Sequence, residues 1–303
     1  MPKFAYYPGC SPKSSTTESD RSMRAVAKEL GMELIELEAV ACCGSRELRI
    51  SNPRLSLVLN ARTLALAEKE NLDILTICNT CQLNLQEDNL KLINDKDLRR
   101  EVNEILSRND LNYRGTAKVF HFVWVLNHYW SLEALRKKVK VGLKGLRVAP
   151  FYGCHLLRPY KVLKIDNPFH PVSMRKTIEA LGGECIDFKA SFKCCGFHAL
   201  MTNEKLAARM SGIFIKDAMS QGAECMVTPC PLCHVALDAY QEQAEKEIGE
   251  KLDMPIFHLQ QLIGLALGFK EKELGLSTHA VSADKITTKI MGQGSLTNQP
   301  LEV

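Results

Sequence analysis

The sequence has no run of about 18 uninterrupted apolar residues, so no direct membrane span is expected. Its opening residues, MPKFAYYPGC, lack a charged stretch leading into an apolar one and do not read as a secretory signal. There is no Gly-x-Gly-x-x-Gly fingerprint and no Gly-x-x-x-x-Gly-Lys-Ser/Thr loop, so the usual dinucleotide and triphosphate cradles are excluded. The Cys-x2-Cys-x2-Cys-x3-Cys run of a ferredoxin is missing too. Flavin or ferredoxin-type clusters, if used, must come on other chains. Charge of one sign is scarce: 39 Lys and Arg against 35 Asp and Glu leave +4, with the cations scattered. No nucleic-acid partner is expected from such a surface.

Cysteine is what the chain has in excess, with 12 in 303 residues. Without a secretory signal the expected setting is the reducing cytoplasm. There, clustered cysteines more often hold metal or do redox chemistry than form disulfides.

The cysteines repeat. Cys10 is followed by 31 residues and Cys42-Cys43-Gly44, and 34 residues after Cys43 comes Cys78-x-x-Cys81. Cys154 is followed by 39 residues and Cys194-Cys195-Gly196, and again 34 residues after Cys195 comes Cys230-x-x-Cys233. The flanking text repeats with them. KFAYYPGC (3–10) matches RVAPFYGC (147–154), LDILTICNTCQLNL (72–85) matches AECMVTPCPLCHVAL (223–237), and VFHFVWVLN (119–127) matches IFHLQQLIG (256–264). A whole structural unit is duplicated, since chance spacing would not carry the apolar context along.

Short apolar runs at 3–7, 33–37, 73–77 and 117–120, and at 146–150, 184–188, 224–228 and 255–257, read as buried strands. Helical periodicity is expected over 18–30, 53–70, 82–92, 97–108, 171–181, 203–221 and 232–249. Alternating strands and helices predict an α/β fold of two pseudo-repeated domains with mainly parallel sheets. The domains are expected at residues 1–140 and 145–270, with a partly flexible tail over 271–303 whose periodicity is lost from 277. The cysteines fall where strands end and helices begin, the edge at which open α/β sheets bind ligands.

A Cys-x-x-Cys pair at a helix start can wrap two sulfurs round one metal centre, and the helix N-terminus favours negative sulfur. Alone it also fits zinc or thioredoxin-like sites. The vicinal pairs narrow the choice. Neighbouring side chains diverge and do not easily ligate one small ion, whereas a cluster of several irons can take both. Gly44 and Gly196 would permit an unusual backbone torsion beside it. Structural zinc would leave one cysteine per half unexplained. Cys185 and Cys225 have no counterpart in the repeat and read as small buried apolar residues.

Twice-repeated, this pattern resembles the cysteine-rich CCG domains of the heterodisulfide reductase family, in its B-type chain, over roughly residues 1–275. YPGC, FYGCHLLRP and PCPLCH share in the likeness. The resemblance implies two non-cubane [4Fe-4S] clusters. One would be held by Cys10, Cys42, Cys43, Cys78 and Cys81, the other by Cys154, Cys194, Cys195, Cys230 and Cys233. It implies an oxidoreductase subunit acting on a small thiol or disulfide substrate between the clusters. Its partners would be a ferredoxin-like C-type subunit and a flavin-bearing A-type subunit. Related complexes in sulfur oxidation use other sulfur substrates. Similar subunits of dehydrogenase complexes relay electrons with no substrate site of their own. Where methanogen members carry a Gly-rich stretch after the second vicinal pair, this chain reads CCGFHALM (194–201), which points to a different substrate.

His155, His198 and His234 lie one to three residues from candidate ligands and are candidate proton donors to a thiolate product. His121 and His258 occupy matched positions and read as structural equivalents. Arg46, Arg49, Arg158 and Lys161 follow the motifs closely and are candidates to bind an anionic substrate group.

Overall fold

The computed structural model describes residues 2–294, with side chains to residue 292. Each half contributes a four-stranded parallel sheet. In the first, β1 (Lys3–Tyr6), β2 (Glu33–Glu36), β3 (Ile74–Thr76) and β4 (Val119–His121) lie in the order β2-β1-β3-β4. In the second, β5 (Arg147–Pro150), β6 (Glu184–Cys185), β7 (Cys225–Thr228) and β8 (Ile256–His258) lie in the order β6-β5-β7-β8. The α/β fold of two repeated units expected from periodicity is what the chain adopts.

The strand order reverses between β1 and β3, and again between β5 and β7. At such a switch point the connections leave in opposite directions and open a crevice beyond the strand ends. Cys10 follows β1 and Cys78 follows β3; Cys154 follows β5 and Cys230 follows β7. The topology therefore delivers the motifs to two equivalent crevices.

Both faces of each sheet are buried, as parallel sheets require. Along β1 the side chains alternate. Phe4 and Tyr6 enter one apolar core with Val148 and Phe257, while Ala5 and Tyr7 enter a second with Ala149 and Ile256. Each core draws on both halves, so the two units are fused along their length.

Most expected helices form within a few residues: Thr17–Leu30, Pro53–Lys69, Asn79–Asn94, Lys96–Leu106, Ser173–Ala180 and Glu204–Ser220. Asn52 and Asn203 cap matched helices, accepting the N–H of Leu55 and Leu206 at 3.0 Å. The stretch expected as one helix over 232–249 is broken into Pro231–Leu237 and Gln241–Ile248. The Asp238 carboxylate turns there to accept the N–H groups of Ala280 and Val281.

Within the segment expected as a partly flexible tail, helix Asp284–Gly294 forms, with Ile286 and Ile290 buried and Ala283 buried just before it. Lys289 fastens it by ion pairing with Glu224 at 2.7 Å. Residues 295–303, the rest of that tail, lie outside the described residues. Among the described residues no helix is long and apolar enough to cross a membrane.

Candidate metal centres

All 12 cysteines are free. Ten of them form one string of neighbouring thiols. In the first half the thiols that shift one another's ionisation run in the order Cys10, Cys42, Cys43, Cys81, Cys78, and Cys42 donates to Cys10 at a sulfur separation of 3.4 Å. In the second half it is Cys154, Cys194, Cys195, Cys233, Cys230. The strings meet where the buried thiols of Cys78 and Cys230 are neighbours, each shifting the other's ionisation. Cys10, Cys42 and Cys194 are exposed and Cys154 half-buried, whereas Cys43, Cys78, Cys81, Cys195, Cys230 and Cys233 are buried.

Local backbone brings this about. Cys78 and Cys230 are the N-caps of their helices, so Cys81 and Cys233 follow one turn later. Gly44 and Gly196 take positive φ beside the vicinal pairs, in line with the torsional freedom expected of them. Gly9 and Gly153 are needed for another reason: a Cβ there would stand 3.0 Å from the Cys81 sulfur and 2.9 Å from the Cys233 sulfur. In the first half Asn84 holds the vicinal pair, donating to the Cys43 and Ser45 carbonyls at 3.1 and 2.7 Å.

The thiols compete for protons. Hydrogen bonds from Cys10 and then Cys43 bring Cys42 down to about 2, and the reciprocal bond pushes Cys10 up. Cys154 and then Cys195 bring Cys194 down to about 2. Burial alone would raise Cys230, but hydrogen bonds from Cys233 and Cys78 and the backbone N–H groups of Cys233 and Asn79 bring it well below the thiol range. Crowded thiols cannot all ionise without a cationic group among them. A multi-iron cluster in each half fits this donor set, because it carries the positive charge and offers several metals. A single tetrahedral ion takes four ligands and leaves the fifth sulfur of each half without a metal, beside like charge.

Of the candidate proton donors, two gather at the junction between the halves. His155 Nδ1 lies 3.0 Å from Thr80 Oγ1, inside the first half's Cys-x-x-Cys. Its pKa is lowered, first by burial and then by the charge of His198. His198 Nδ1 lies 3.1 Å from Glu47 Oε1, and the two rings stand 5.7 Å apart. His234 does not join them. It is 3% exposed, donates from Nε2 to the Ile256 carbonyl at 2.9 Å and stacks on His258, so it is not placed to protonate a bound substrate. Thr80 and Glu47 escaped sequence reading, because their partners lie in the other half.

Arg46, Arg49, Arg158 and His155 line one cavity of about 520 Å³ with Ile50, Leu83 and Pro159. Arg49 is already paired with Glu87 at 2.9 Å and Asp88 at 3.2 Å. Arg158 donates to the Phe192 carbonyl. Lys161 is exposed and is not part of the cavity wall, a second departure from the expected anion site. A separate cavity of about 320 Å³ opens on all five cysteines of the first half, walled by Pro12, Phe197, Leu232 and Val235.

Two fused parallel α/β units, each presenting five converging thiols at its switch point, define a duplicated cysteine-rich redox protein. Comparison agrees: the Cysteine-rich domain model, CCG, matches residues 4–86 and 148–238, and the chain belongs to that family. It is 42% identical, over 94% of its length and 99% of the relative's, to the 8-methylmenaquinol:fumarate reductase membrane anchor subunit of Wolinella succinogenes. It is 33% identical, over 96% and 99%, to a protein of Archaeoglobus profundus named for its likeness to the B-type chain of heterodisulfide reductase. The fold is also that of a hypothetical protein from Helicobacter pylori, with a TM-score of 0.74 at 17% identity, covering 93% of this chain and 52% of that one. Both curated relatives thus carry the names of oxidoreductase subunits or their like.

Proposed function

We propose that this chain is the iron–sulfur subunit of an oxidoreductase complex, holding one non-cubane [4Fe-4S] cluster in each half and passing electrons between them. The observation that carries the reading is the gathering of ten free thiols, five in each half, with the two sets neighbouring at Cys78 and Cys230. The similarity to a fumarate reductase subunit supports a relay between a partner's active centre and a second redox partner. The clusters would supply one-electron storage at each end of the relay. The chain's own residues bind them through thiolate, exclude water from the six buried sulfurs and set the distance between halves through Cys78 and Cys230. Backbone N–H groups of Asn79 and Cys233, aimed at the Cys230 sulfur, stabilise its negative charge. The partners expected are a flavin-bearing catalytic subunit and a ferredoxin-like one, on the cytoplasmic side. Any membrane attachment would be peripheral, and exposed Ile50 and Met201 beside the cysteine motifs suit such a contact.

The cavity at the first half's cysteines supports a second reading, thiol–disulfide chemistry, in which Arg46 and Arg158 would hold an anionic substrate and His155 would supply a proton. Anaerobic purification with iron analysis and EPR tests both. About eight irons per chain are expected, with signals that small disulfides leave unchanged. New signals on adding a disulfide would replace the relay reading by the second, and an iron-free chain would end both.

A further inference from the structure

The second half walls the first half's site. Phe197, Leu232 and Val235 line the cavity of about 320 Å³ that opens on the five thiols of the first half. All three belong to the other half's cysteine motifs. Phe197 follows Cys194-Cys195-Gly196 directly, Leu232 lies inside Cys230-x-x-Cys233, and Val235 comes two residues after it. Each of the three is half-buried.

Phe197 is held from two sides. Gly196 takes a φ of +86°, and a Cβ there would stand 3.2 Å from Ala207 Cα, so the turn sits closely on helix Glu204–Ser220. The next residue, His198, meets the Phe197 ring edge to face, with centroids 5.6 Å apart. His198 Nδ1 in turn lies 3.1 Å from Glu47 Oε1 of the first half. The ring is thus fixed against the half whose thiols it covers.

The halves differ at the same three places. Counted from the motifs, with no gap between, Ser45 matches Phe197, Thr80 matches Leu232 and Leu83 matches Val235. Thr80 Oγ1 lies 3.0 Å from His155 Nδ1, and Leu83 lines the cavity of about 520 Å³ with Arg46 and His155. The first half therefore has hydroxyls at two of the three places where the second half has a ring and a branched alkyl group.

We infer that Phe197 is a specificity-determining residue that bars small thiols from the first half's centre, so that this centre exchanges electrons without taking a ligand. An electron can cross an apolar wall without forming a bond. A polar ligand must shed its water to pass the same wall, and nothing on the ring, Leu232 or Val235 replaces that water. The inference rests on the iron–sulfur relay reading and deepens it, since it leaves one centre to electron transfer alone.

The test is EPR on the full anaerobic chain with β-mercaptoethanol added, comparing Phe197→Ser and Phe197→Leu with the parent. Serine copies the first half's Ser45, and leucine keeps the place apolar. The signal that Cys42→Ser abolishes marks the first centre. That signal should ignore the thiol in the parent and in Phe197→Leu, and should change in Phe197→Ser. A change in the parent, or none in Phe197→Ser, would overturn the inference. An iron-free parent would instead overturn the cluster reading beneath it, and access is then read on that chain with iodoacetamide. Cys43 and Cys81 should react about tenfold faster in Phe197→Ser than in the parent, with Cys195 and Cys233 unchanged. Equal rates would show that Phe197 bars nothing, and a rise in both halves alike would show general loosening in place of a barrier; either result overturns the inference.

Discussion

Cys78 and Cys230 are neighbouring thiols, each at the N-cap of its own helix, and their interaction raises the Cys78 pKa and lowers that of Cys230. Both are buried, so the two cysteine sets join in the protein interior and reach solvent only at their outer members. A charge placed on one set is felt at the other through low-dielectric surroundings.

Cys42→Ser should remove one cluster and spare the other. Cys42 is the thiol most easily ionised in its half, at about 2, and touches both Cys10 and Cys43. Iron per chain should fall from about eight to about four, with one set of EPR signals lost. Cys194→Ser should give the complementary loss. Equal weakening of both signal sets in either variant would contradict two separable centres.

Gly153→Ala should destabilise far more than Gly145→Ala. Both glycines have positive φ, +70° and +68°, so both variants incur the left-handed penalty of about 1–2 kcal/mol. Only at Gly153 would the new methyl meet a sulfur, at 2.9 Å, whereas nothing lies within 4 Å at Gly145. Thermal unfolding should separate the two variants, and iron content should fall in Gly153→Ala alone.

Asp238 should make stability fall between pH 4 and 6. Burial pushes its carboxyl up from 3.8 to about 6. A raised pKa means the native state keeps a proton that the unfolded chain releases. The stability is fully present below about pH 4 and is lost as pH rises through 6. Two pH units at 1.36 kcal/mol each set the size at about 3 kcal/mol. Urea unfolding of Asp238→Asn should lack this fall; an unchanged pH slope would show that Asp238 is not its source.

Ile290→Ala should cost about 2–4 kcal/mol, the usual range for a buried aliphatic side chain cut to alanine. Ile290 is 1% exposed in a helix that packs with Leu262 and Leu265 into one of the shared cores. A change below about 0.5 kcal/mol in urea unfolding, the usual size for a surface substitution, would show that this helix does not contribute to the fold.

The strands could be read directly from the sequence because both faces of a parallel strand are buried and leave continuous apolar runs such as ILT (74–76) and CMVT (225–228). The cysteine sets could be read because duplication preserved their order and context. Short elements could not. Glu47–Ser51 and Tyr160–Leu163 are too brief for a helical period to show. The helix at 284–294 has only a few apolar anchors, and its stability comes from a core that the local sequence does not reveal.

By itself, then, the sequence determined the repeated α/β plan and which ten cysteines stand at strand ends, because periodicity and spacing are local properties. Only the tertiary structure decided that the two cysteine sets neighbour each other at Cys78 and Cys230, that His155 meets Thr80 while His234 turns to the Ile256 carbonyl, and that Glu18 of one half meets His258 of the other. Those are contacts between residues far apart in the chain, set by how two twisted sheets share their cores, and no local pattern encodes them.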